Sequence, residues 1–169
     1  MTLRPDMIEC WIFRVVPPED RLEILLIRRA PDRIFPGLWQ CVTGSIEPGE
    51  TVPEAAMREV REETGLWPGG GIESFYDLDQ VAPFFDEGPD AIVVSAIFAA
   101  RARPDAAPVA SREHDGLRWV PAGEAPALAI WPSYAESIRR VREVLLDPAR
   151  EPWFRLDDEG RRIARRPAG

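Results

Sequence analysis

Hydrophobic and polar positions alternate between short apolar runs and breakers along most of the chain. Ile8–Val16 is rich in Ile, Val, Phe and Trp and reads as a strand, stopped by Pro17-Pro18-Glu19-Asp20. Leu22–Ile27 is a second apolar run, of a length that suits a buried strand. A loop containing Pro36-Gly37 leads into a short extended segment over Trp39–Thr43. Glu73–Leu78, Val81–Phe85 and Leu117–Val120 are further strand candidates, and Ala91–Ala100 is the clearest, with no breaker inside it. Two segments follow helical spacing instead. The first begins at Pro53, runs through Ala55, Ala56, Met57 and Val60 to about Thr64, and meets a stop at Gly65. The second runs from about Ser133, a candidate cap, to Leu146, with Ile138, Val141, Val144 and Leu145 as its apolar stripe. This order predicts an α/β fold, a mixed β-sheet sandwiched between α-helices.

Composition sharpens that picture. The 169 residues suit one domain. The pattern places it at residues 1–148, followed by a tail at 149–169 that either packs locally through Trp153 and Phe154 or stays loose. Eighteen prolines and twelve glycines predict substantial loops. The net charge of −8 argues against a nucleic-acid partner, which would favour a basic chain. No apolar run approaches a membrane span, and Arg4, Asp6 and Glu9 interrupt the opening residues, unlike a signal peptide. Cys10 and Cys41 have no metal-ligand spacing and form no disulfide framework, so a reducing cytoplasm is expected.

The first predicted helix carries Glu59, Glu62 and Glu63, spaced i, i+3 and i+4. Like charges this close repel, and a hard divalent cation such as Mg²⁺ removes the penalty. A solvated acidic face relieved by Arg58 and Arg61 is the alternative.

The residues before the helix bear on that choice. The segment Gly44–Leu66 reads GSIEPGETVPEAAMREVREETGL. It resembles the Nudix box: a glycine, five residues, a glutamate, seven residues, then Arg-Glu-aliphatic-x-Glu-Glu-x-Gly-aliphatic. Gly44, Glu50, Arg58, Glu59, Val60, Glu62, Glu63, Gly65 and Leu66 fill every specified position. The resemblance implies a Nudix fold and hydrolysis of a nucleoside diphosphate linked to another moiety. It implies Mg²⁺ or Mn²⁺ on Glu59, Glu62 and Glu63, with a backbone contact from Gly44. Arg58 and Glu50 are carried over as partners that orient the loop–helix site, in either a chemical or a purely structural role. Glu47 and Glu54 fill no specified position and read as solvent-facing. Bound cations would neutralise the pyrophosphate oxygens and acidify a water, whose proton a glutamate could accept.

Trp39-Gln40, Val42-Thr43-Gly44-Ser45, Glu113-His114 and Trp119 are similar to one branch, the dihydroneopterin triphosphate pyrophosphohydrolases. That similarity implies an additional metal ligand at Glu113, a phosphate contact at Arg28 and a substrate contact at Thr43. Arg28 is equally readable as a strand-end cation, Glu113 as an acidic loop residue, and Trp39 as core. His114 reads as a loop hydrogen-bonder rather than a base. Phe35, Phe84, Phe85 and Trp131 are candidates to stack on a planar heterocycle. The expected substrate is a nucleoside or pterin triphosphate. The alternatives are ADP-ribose, to which Pro83 points, a nucleotide sugar or a dinucleoside polyphosphate, or a non-catalytic nucleotide-binding module. The oligomeric state is left open, a homodimer included.

Overall fold

A computed structural model describes residues 4–165. The predicted tail therefore extends past the described residues at its last positions, 166–169.

The chain builds a nine-stranded sheet. Its strands are β1 (Met7–Val16), β2 (Arg21–Arg29), β3 (Trp39–Gln40), β4 (Val42–Ser45), β5 (Trp67–Pro68), β6 (Gly71–Asp86), β7 (Ala91–Ala102), β8 (His114–Pro121) and β9 (Arg155–Leu156). The central path is β3-β2-β1-β7-β6-β5, with β4 on β1, β8 on β2 and β9 on β6. β1 runs parallel to β7 and antiparallel to β2 and β4, so the sheet is mixed, as predicted.

Both faces of β1 are covered, which explains its near-continuous apolar reading. Trp11 and Phe13 enter one core with Ile24, Leu26, Ile97 and the helix residues Tyr134 and Ile138. Ile8, Cys10 and Ile12 enter the other, beneath Ala55, Ala56 and Val60. These two layers belong to α3 (Pro132–Arg140) and α1 (Val52–Thr64), with a four-residue α2 (Ala125–Leu128) leading into α3.

α1 begins and ends as its sequence dictates. Thr51 caps it and Glu54 returns the bond, a reciprocal capping box, with Pro53 in the first turn. Gly65 closes it in the left-handed conformation at φ 69°, donating to the Arg61 carbonyl. The second helix differs from its prediction. Pro132 opens it and Trp131 stands at the cap position without a side-chain bond, so Ser133 lies inside the first turn. Its last turn, Val141–Leu145, widens to π geometry.

Two predicted strands, Glu73–Leu78 and Val81–Phe85, are one strand, β6. A register irregularity between Asp77 and Gln80, where Asp79 has φ 52°, breaks its alternation and hides the continuity. The segment after residue 148 joins the sheet. β9 pairs with β6, Arg162 meets the Asp77 carboxylate, and Gly160 lies against Pro53 with no room for a Cβ.

Thr51→Ala removes one half of the capping box, an expected loss of about 1 kcal/mol. In a chain of this size the midpoint of thermal unfolding falls by roughly 2–4 °C. A shift below about 1 °C contradicts the assignment of Thr51 as the helix cap.

Candidate active site

The glycine loop meets α1 through Gly44 and Glu59. A Cβ on Gly44 would overlap the Glu59 carboxylate where it now sits, so a larger residue would displace that side chain. Arg58 then draws the junction together. Its Nε donates to Glu50 Oε1 at 2.7 Å, and Nη2 donates to Glu50 Oε2 at 3.2 Å and to the Ser45 carbonyl at 2.9 Å. Its Nη1 donates to Glu59 Oε1 at 2.8 Å and to Glu62 Oε2 at 3.1 Å. Glu50 also accepts the Glu47 N–H at 3.0 Å, closing the loop on itself. The Arg58 bonds hold the Glu50 carboxyl below its usual range. Arg61 takes no part: its guanidinium lies over the Trp67 ring.

The three helix glutamates diverge. Glu62 is exposed, Glu59 half-buried, and Glu63 only 5% exposed. Spacing puts them within a turn of each other but does not say how deeply each one sits. Among the described residues, no three His, Cys, Asp or Glu side chains are already gathered closely enough to hold a metal ion. Two of the three carboxylates are turned onto Arg58, the nearest positive charge, as mutual repulsion requires.

Glu63 makes no ion pair with an arginine among the described residues. Its Oε2 accepts the Thr43 N–H at 3.3 Å, and its Oε1 faces His114 Nε2 at 3.9 Å. Burial, aided by the charge of Glu59, pushes its carboxyl up to about 9. Burial also raises Glu59, against the pull of Arg58. A buried carboxylate with no arginine ion pair among the described residues, beside two more on one arginine, is an oxygen donor set that suits a hard divalent ion. Glu59, Glu62 and Glu63 therefore fit the predicted metal chemistry.

Pairing of β2 with β8 brings the remaining candidates to the same end of the sheet. The Ala30 N–H donates to the Glu113 carbonyl at 2.9 Å, and Arg33 lies 3.4 Å from Glu113 Oε1. Arg28 donates to Asp115 Oδ1 at 2.7 Å and lies over the Trp39 ring, which is half-buried. Thr43 Oγ1 accepts from Gln40. Phe35 and Trp131 meet edge to face at 5.9 Å while remaining 58% and 39% exposed. Phe35 holds φ 53°, unusual for a bulky side chain. Phe84 and Phe85 are also exposed, but they sit beside the β6–β7 turn and make no ring contact with that pair among the described residues. Glu47 and Glu54 are exposed, as expected, though Glu54 works as half of the cap.

Two polar residues matter more than their sequence reading suggested. Glu9 is buried on β1, opposite Thr43, where among the described residues only the Cys41 thiol, at 4.0 Å, donates to it, and burial lifts its carboxyl to about 7. An acid within the apolar Ile8–Val16 run was the available signal. His114 is fully buried and hydrogen-bonded to Ser111, consistent with a hydrogen-bonding role. A cleft of about 380 Å³ lies elsewhere, lined by Pro53, Asp77, Val81, Phe98 and Arg162. It contains none of the predicted site residues, and the carboxylate chemistry locates the site better than concavity does. No helix among the described residues is long and apolar enough to cross a membrane.

Known proteins resemble this chain in sequence and fold. The NUDIX domain family model matches residues 10–141. An octanoyltransferase of Myxococcus xanthus is 36% identical over 126 residues, 73% of this chain and 33% of that protein. The dihydroneopterin triphosphate diphosphatase of Escherichia coli K12 is 47% identical over 55 residues, 32% of this chain and 35% of that protein. The chain thus matches about a third of the length of these curated relatives. The solved structure of the E. coli dihydroneopterin triphosphate pyrophosphohydrolase superposes with TM-score 0.62 at 28% identity, covering 81% of this chain and 97% of that one.

The Glu63 environment sets a pH signature. In metal-free protein its carboxyl titrates above the ordinary value of 4.5, near 9. Its contribution to folding is therefore fully present below 4.5 and is lost as pH rises towards 9. Glu63→Gln removes that loss. The variant's unfolding temperature relative to wild type should climb between about pH 5 and about pH 8. A difference that is flat or falls over that span contradicts the buried, unpaired assignment.

Proposed function

The chain belongs to the Nudix family, and from that premise we propose that it hydrolyses a pyrophosphate bond in a nucleoside or pterin triphosphate, using Mg²⁺ or Mn²⁺. The observation that carries this reading is the intact loop–helix junction. Gly44 leaves room for Glu59, Arg58 ties Glu50 to Glu59 and Glu62, and Glu63 is buried with no arginine ion pair among the described residues.

In this reading Glu59, Glu62 and Glu63 hold the divalent ion, with Glu113 as a further ligand and the Gly44 backbone beside them. The ion would neutralise phosphate charge and acidify a water. A helix glutamate accepts the proton of the attacking water. Arg58 and Glu50 keep the loop and helix in register, so that the carboxylates could converge on a bound ion. Arg28, partly exposed beside Asp115, and Thr43, opposite the site helix, contact the substrate. The exposed Phe35 and Trp131 rings offer planar faces to a heterocycle. The name of the E. coli relative supports a pterin triphosphate among the substrates. Both cysteines are free and buried, which suits a reducing compartment such as the cytoplasm.

The test is kcat/KM across pterin triphosphate, the common nucleoside triphosphates, a nucleotide sugar, a dinucleoside polyphosphate and ADP-ribose, with and without Mg²⁺ or Mn²⁺. Pyrophosphate release from the triphosphates, dependent on metal, is expected. Aromatic stacking tolerates many rings, so preferences among triphosphates should stay within about a thousandfold. Glu59→Gln and Glu63→Gln should each lower turnover by more than about a hundredfold, and Glu113→Gln by less. A winning ADP-ribose would overturn the substrate class. Tight binding with no turnover would identify a non-catalytic module.

A further inference from the structure

We propose that His114 is a positioning residue for Glu63: its ring is the Nε2–H tautomer, with Ser111 donating to Nδ1, and the Nε2–H donates to the Glu63 carboxylate and aims it at the cation. This rests on the reading of Glu63 as a metal ligand.

The ring nitrogens face two polar atoms, Ser111 Oγ and Glu63 Oε1, and the second decides the tautomer. Ser111 Oγ accepts the Glu113 N–H at 3.2 Å and lies 3.3 Å from His114 Nδ1. A hydroxyl can donate or accept there, and it donates to Nδ1 when Nε2 carries the ring proton. A neutral imidazole that accepts at one nitrogen carries its proton on the other. His114 Nε2 is buried and has no hydrogen-bond partner. The facing polar atom is Glu63 Oε1 at 3.9 Å. Once Glu63 is ionised, above about pH 9 or on a bound cation, the opposite tautomer would set a lone pair against a carboxylate oxygen. A shift of about 1 Å brings donor and acceptor into ordinary hydrogen-bond range.

The surrounding backbone makes the pair one unit. The Ser111 N–H donates to the Glu63 carbonyl at 3.3 Å, and the Val109 N–H donates to the Thr64 carbonyl at 2.8 Å. The segment carrying Ser111, Glu113 and His114 is therefore pinned to the last turn of α1. Glu63 Oε2 already has the Thr43 N–H, so His114 supplies the matching donor for Oε1. A neutral N–H suits this task better than an arginine would. It orients a carboxylate with a dipole and leaves the full negative charge for a divalent ion, whereas a guanidinium would compete for it. Both ring nitrogens point into the protein, so the ring is not placed to meet substrate.

The chain has a single histidine, so the ring-nitrogen NMR spectrum of ¹⁵N-labelled full-length protein contains one imidazole. With Glu63 ionised, in metal-free protein above about pH 9 and in Mg²⁺-loaded protein at neutral pH, the ring should be neutral with its proton on Nε2. A proton on Nδ1, or averaging between tautomers as in an exposed ring, overturns the proposal. The second arm compares His114→Gln with His114→Phe. Gln carries an amide N–H to nearly the position of Nε2, and Phe keeps the ring without a donor. Phe should lower kcat at least tenfold with KM within about threefold, and Gln should recover most of that loss. Equal losses in both, or a loss in KM alone, overturn it. If His114→Phe does not fold, the wild-type ring spectrum still decides. If the wild type turns over nothing in the substrate panel, the functional reading fails, while the metal-free spectrum tests the tautomer independently.

Discussion

The Arg58 guanidinium reaches both oxygens of Glu50, the Ser45 carbonyl, Glu59 and Glu62. Without it, the acids of the loop and helix would repel and the junction would open. Its planar fork is what makes the arrangement possible, because separate edges serve the loop and the helix. Lysine, with one point charge, could not hold both. Glu59 and Glu62 both accept from the Nη1 edge of this guanidinium, which offsets their mutual repulsion. Glu63 lies beyond its reach and makes no ion pair with an arginine among the described residues, and that burial is the strongest physical pointer to an added cation.

The rest of the fold serves to keep this junction in place. β1 is the shared wall, buried on both faces, and β4 pairs with it so that Ile8 lies opposite Gly44 and Glu9 opposite Thr43. α1 packs on one face through Ala55, Ala56 and Val60, small residues that let the helix approach closely. The segment after α3 adds support from outside. β9 extends the sheet, and Gly160 abuts Pro53 at the start of the site helix. The β2–β8 pairing delivers Glu113 and His114 to the opposite end of the same helix.

Much of this was legible in the residues. The Nudix box named the junction, and α1 carried its own start and stop in Pro53 and Gly65. β1, β2 and β7 were readable because burial on both faces leaves runs with few polar positions. β5 and β9, two residues each, have no period to read. β6 was divided because the kink at Asp79 disrupts its alternation. Ser133 misled because cap preference is local, while Pro132 fixes where the helix begins. Within the site, spacing gave the neighbourhood of Glu59, Glu62 and Glu63 but not their burial, which comes from the sheet beneath. The pairing of His114 with Glu63 spans residues far apart in the chain and has no local signal at all.

We propose that the carboxylates organised by Arg58 and the buried Glu63 form one divalent-cation site. The most direct measurement is a titration of the protein with Mn²⁺ followed by electron paramagnetic resonance, in wild type and in the Glu59→Gln and Glu63→Gln variants. The account predicts saturable Mn²⁺ binding by the wild type, displaced by Mg²⁺, and at least tenfold weaker in each variant. Absence of binding by the wild type, or equal affinity in all three proteins, would contradict it.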